Sequence, residues 1–141
     1  MALALLSFAP NLNAACTNAT MHGDWGFTGT GVIILPSGPV PVGAAGTVRF
    51  DMDGNLSGGQ DRSVGGGEAH ETITGTYSIN SDCALTISAN VNDDAGNLQR
   101  TTVLKGVVVS NGKETRMIYQ AITLPDGTPS PAVLTLDANK I

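Results

Sequence analysis

The chain has 141 residues, with 18 glycines, 13% charged residues and a formal net charge of −5. That length suits one domain with a real core, and the lack of any Lys/Arg cluster makes nucleic acid a poor partner and disfavours anionic membrane surfaces. Thr, Val, Ile and Ser recur while Glu, Lys, Gln and Arg are few, a mixture that favours strands and turns over helices.

The chain opens with MALALLSFA, an apolar run whose length fits an export signal better than a membrane span. No Lys or Arg precedes it. Residues 1–15 are therefore expected to be a signal peptide or an apolar N-terminal segment, followed by one domain over residues 16–141. The two cysteines are Cys16 and Cys83. An even count in an exported chain predicts a disulfide, and closing so long a loop contributes roughly 4 kcal/mol. The alternative is a lipid anchor on Cys16, because Asn13-Ala14-Ala15-Cys16 resembles a lipobox, with Asn13 where Leu is usual. One sulfur cannot carry both. Either fate places the protein outside the cytoplasm, secreted or periplasmic in the first case and lipid-anchored in the second.

Short strand patterns then alternate with turn signals. GDWGFTGTGVIIL puts Trp25, Phe27, Ile33 and Leu35 on one parity, and Pro36 ends it. SGPVPVG reads as a loop, because proline removes a ladder donor. GTVRFDM alternates cleanly, with Val48, Phe50 and Met52 on one face, and Asp53-Gly54 is a hairpin signal. NLSGGQDRSV is a polar strand, and VGGGEAHE reads as a mobile loop and a candidate lid at a barrel mouth. ETITGTYSIN places Ile73, Gly75, Tyr77 and Ile79 on one face, NSDC is a turn, and ALTISANV is the next strand. After the NDDAGN turn comes the long LQRTTVLKGVVVS, where Gly106 marks a bend or bulge. Asn111-Gly112 is a second hairpin signal, and ETRMIYQAIT and AVLTLDA, joined by LPDGTPSP, complete the series. Eight or nine strands at regular spacing predict an all-β fold, an antiparallel up-and-down barrel, with a β-sandwich as the alternative.

The stretch Asp51-x-Asp53-Gly54-Asn55-x-Ser57 has the spacing of oxygen ligands in a calcium loop. Calcium needs six to eight oxygens, and the twelfth position, where a bidentate Glu would close such a loop, is Arg62. Asp51, Asp53 and Asn55 are thus weak metal candidates, and a type I′ hairpin is the expected structure. Glu68, His70 and Glu71, with the distant His22, offer acid–base or zinc chemistry only if a loop gathers them. The parity of Glu68 and His70 points them outward. No serine sits in a nucleophile elbow, and Gly65-Gly66-Gly67 lacks the Lys-Ser/Thr of a phosphate loop. No cofactor is implied. Trp25, Phe27, Tyr77 and Tyr119 are, with Phe50, nearly all the aromatics of the chain, and most share the inner parity; they are the candidate ligand-binding residues of a barrel cavity, with a filled core as the alternative.

The frame CTNATMHGDWGFTGTG, FDMDGNLSG and ITGTYSINSDCALTIS resembles a family of small exported bacterial proteins of unknown function. Its members show a cysteine after the signal, a G-x-[WY]-x-F-like first strand, an F-D-x-D/N-G-N turn and a G-T-Y-x-[IV]-x-x-D-C block. The resemblance covers about residues 16–122. It implies a fold, export and a Cys16–Cys83 bond, and carries no catalytic residues. A weaker likeness, through Gly23-Asp24-Trp25, is to calycin-type barrels such as lipocalins and avidins; their later motifs are missing, so no ligand identity follows. The expected function is a non-enzymatic binding module for a small apolar or amphipathic ligand. A second reading is an extracellular structural or filament subunit that self-associates by strand addition through the apolar N-terminal segment. A third, a cyclase-type enzyme working inside the barrel, has no residue-level support.

Overall fold

A computed structural model describes residues 15–141. The expectations for the export signal and for strand addition fall on segments that lie, apart from Ala15, outside the described residues. A short helix, α1 (Asn18–Met21), precedes eight strands: β1 (Gly23–Leu35), β2 (Gly38–Phe50), β3 (Asn55–Val64), β4 (Gly67–Ile79), β5 (Ala84–Asp93), β6 (Leu98–Val109), β7 (Glu114–Thr123) and β8 (Ala132–Lys140). Each strand pairs antiparallel with the next, and β8 returns to β1, from Trp25↔Lys140 to Ile33↔Ala132, closing an up-and-down barrel. Closure leaves no whole edge strand bare.

Alternation decides what lies inside. On β5, Leu85, Ile87, Ala89 and Val91 are buried while Ser88 and Asn90 face out. The outward positions of β3 and β4 include Ser57, Asp61, Thr72, Thr74 and Ser78, while β1, β6, β7 and β8 present Ile34, Val107, Ile118 and Val133 outward. Among the described residues no helix is long and apolar enough to cross a membrane. Gly75 and Gly106 sit on the inner parity, where neighbouring strands cross at closest approach: a Cβ on either would collide with the carbonyl of Ser88 or Arg116 on the next strand. Small barrels need such curvature, and glycine permits it.

One end of the barrel is stoppered. The segment before β1 folds beneath it, with Met21 and Trp25 fully buried. The Trp25 indole N–H donates to Met21 O at 2.8 Å. Phe50 packs edge-on between Trp25 and Tyr77, at ring-centre distances of 6.1 and 5.0 Å. The Tyr77 hydroxyl donates to Asp51 O. A disulfide joins Cys16 to Cys83, which sits at φ 68° in the β4–β5 turn. It occupies the sulfur that a lipid anchor on Cys16 would have needed.

Three local expectations are corrected. SGPVPVG is not a loop: β2 includes Pro39 and Pro41. They lie on an overhang paired with β1, beyond the point where pairing with β3 begins at Val42↔Val64, so that flank has no ladder to lose a donor from. VGGGEAHE is not a lid: β4 starts at Gly67, and the hairpin tip is Gly65-Gly66, both at positive φ. FDMDGN does not make a two-residue type I′ turn; the Asp51 N–H donates to Asn55 O, and the longer loop leaves Met52, expected inside, 51% exposed.

Candidate functional site

Above the stopper the barrel encloses a cavity of about 320 Å³. Its wall is mainly aliphatic and aromatic, including Phe27, Phe50, Ile73, Ile87 and Leu104. Two of the four aromatic candidates, Phe27 and Tyr119, line it. Trp25 and Tyr77 do not; they share the inner parity but lie lower, where α1 and the disulfide seal the barrel, and their polar atoms are spent on backbone carbonyls.

Toward the open end the wall turns polar. Gln60 and Arg62 on β3, Glu71 on β4 and Arg100 on β6 all take the inner parity of their strands. The Glu71 side chain is 1% exposed. Arg100 grips it with two bonds, Nη1 to Oε2 at 2.8 Å and Nη2 to Oε1 at 2.7 Å. Gln60 Nε2 donates to Oε1 at 3.0 Å, and Arg62 Nε lies 3.1 Å from Oε2 without hydrogen-bond alignment. Burial alone would push the Glu71 carboxyl up. The bonds from Arg100 and Gln60 and the Arg100 charge outweigh it, and the net shift is downward. A buried carboxylate thus carries a bidentate partner and a second guanidinium, leaving the group with one net positive charge.

A β-bulge at Gln99, where pairing passes from Val91↔Arg100 to Asn92↔Leu98, sets Gln99 and Arg100 together on the cavity wall. A second register shift, between Val103↔Ala121 and Leu104↔Tyr119, lies beside Tyr119. Burial raises the Tyr119 phenol pKa, with nearby Arg100 opposing and Glu71 adding to the shift. Deeper in, Thr115 is a lining residue whose hydroxyl is buried and without a hydrogen-bond partner.

The weak metal candidates are used otherwise. Asp51 Oδ1 accepts from the backbone N–H groups of Asp53 and Asn55 at 2.9 and 2.8 Å, so its carboxylate stitches the loop. Among the described residues no three His, Cys, Asp or Glu side chains are grouped to hold a metal. Glu68 and His70 point outward from β4, as parity predicts; His70 Nδ1 pairs with Asp61 at 2.9 Å, and His22 lies at the opposite end of the barrel.

The Glu71–Arg100–Arg62–Gln60 group went unread as a site in the sequence. The signal was present: Glu71 shares parity with Ile73 and Tyr77, Arg62 with Leu56, and Arg100 with Leu104. A charged residue on an inner parity, away from a strand end, marks a buried polar group. Compared with models of known protein families and with curated proteins, the chain matches none.

Proposed function

We propose that this protein is an exported, non-enzymatic binding module that holds a small apolar or amphipathic ligand inside its barrel. The observation that carries this reading is the cavity of about 320 Å³, walled by apolar side chains with a few polar groups converging near its open end. Ligand sites have that composition, and this volume stands at the small end of their range. A barrel that served only as a scaffold would gain more stability from a filled interior, since each unfilled volume forfeits packing contacts. The disulfide supports export, because such bonds persist in oxidising compartments. Closure weakens the strand-addition alternative, since an incoming strand needs a bare edge to pair with.

Native mass spectrometry of the protein taken from its own source is the test. The expected spectrum shows a non-covalent adduct of a few hundred daltons that is released on collisional heating or solvent extraction. A spectrum at the bare polypeptide mass, together with no uptake of added decan-1-ol, refutes the reading.

A further inference from the structure

We infer that the ligand is a monoanionic amphiphile whose carboxylate docks on Arg62 and Arg100 and whose apolar body runs down toward Phe27 and Phe50. The inference rests on the binding reading above and adds the chemistry of the head group.

Unspent donors and an unbalanced charge identify the head group. Glu71 has about four acceptor sites. Arg100 takes two and Gln60 one, and Arg62 Nε stands at the remainder. The carboxylate thus accepts three bonds, with Arg62 Nε close by but unaligned, while the terminal nitrogens of Arg62 have no hydrogen-bond partner among the described residues and Arg100 keeps further N–H groups. Both side chains are mostly withdrawn from water, at 27% and 22% exposed. The unpartnered terminal nitrogens are not sealed off, so a ligand carboxylate entering from the mouth can accept from them. Two guanidinium groups against one carboxylate leave one positive charge at the cavity wall, in a molecule whose formal net charge is −5. A single negative charge on the ligand balances it. The planar fork of arginine matches a carboxylate better than a point anion.

Position supports the same reading. The cation pair lies toward the mouth, where a polar head can stay in contact with water, and the wall below it is apolar. Burial keeps the Tyr119 phenol neutral near Arg100, able to donate to the same head. A cavity of about 320 Å³ suits a small or medium-sized amphiphile rather than a large one.

The test compares decanoate with decan-1-ol, which share a tail and differ in charge, by titration calorimetry of the disulfide-bonded protein. Decanoate is expected to bind at least about tenfold more tightly, the scale of one charge-assisted hydrogen bond. In Arg62→Gln the preference for decanoate over decan-1-ol should fall to within about twofold, with Arg62→Lys intermediate. Equal affinities in the wild-type protein overturn the anion inference while leaving the binding reading intact. A preference that survives Arg62→Gln overturns the assignment to Arg62. Failure of both probes to bind counts against the binding reading itself. The wild-type comparison needs no variant, so a poorly folding substitution leaves the inference open to refutation.

Discussion

At the residue scale the chemistry turns on which polar atoms are spent and which are not. Glu71 is held below its ordinary carboxylate range by partners that outweigh its burial. Truncating it strands two cations on the cavity wall, so Glu71→Ala is expected to cost about 3 kcal/mol in urea-melt stability, at the low end for buried pairs because both arginines keep some contact with water. Loop carboxylates behave differently. Asp51 and Asp93 are lowered chiefly by the backbone N–H groups of Asn55 and Asn97, in two loops that share an Asp-x-x-Gly-Asn spelling. Their folded pKa values lie below the unfolded ones. Their contribution is therefore present above the usual carboxylate range and lost as pH falls through the depressed values. Urea midpoints measured from pH 5 down to pH 2 should fall less steeply for Asp51→Asn than for the wild-type chain. His70 has the opposite sign. Its hydrogen bond to Asp61, helped by Asp94, raises its pKa, so its contribution is present below the usual histidine range and lost as pH rises through the raised value. In Asp61→Asn the NMR titration midpoint of His70 should move down; an unmoved midpoint would show that the pair does not form in solution.

At the element scale, strands were legible and their ends were not. Trp25, Phe27, Val48, Phe50, Ile73 and Tyr77 announce their faces by period-two spacing, because burial selects residue type directly. The prolines of β2 did not announce themselves as strand, because their tolerance depends on β3 stopping short of them, a fact of tertiary pairing. Met52 misled for a related reason: loop geometry set by Asp51 overrides the parity of the strand before it. Glu71 and Arg100 were missed because a charged residue on an inner face reads as a strand end until its partner on another strand is known. Two glycines make a sharp comparison, Gly75 on the inner face and Gly43 on the outer. Gly75→Val should cost about 1–3 kcal/mol through overpacking against Ser88 and Ala89, while Gly43→Ala, with open space around its Cβ, should be close to neutral in the same thermal melt.

At the scale of the whole molecule the barrel has a sealed end, an open end and a weak seam. The disulfide ties the stopper to the β4–β5 turn across 67 residues, and Cys16→Ser with Cys83→Ser should lower unfolding free energy by about 4 kcal/mol by the loop-closure argument. The seam lies between β7 and β8. Their ladder runs only from Glu114↔Asn139 to Ile118↔Thr135, and pairing resumes beyond a gap, at Thr123↔Pro129. Amides of Gln120 and Ala121 should exchange hydrogen well before those of β5, which is paired along its length on both sides. A ligand-holding barrel must accept a guest in its interior. Methyl-resolved NMR during titration with decan-1-ol asks this directly. Saturable shifts are expected at Ile73, Ile87 and Leu104, which line the cavity, with Ile118 and Val133 on the outer surface unmoved. Shifts confined to the outer methyls, or none at all, would contradict a ligand-holding barrel.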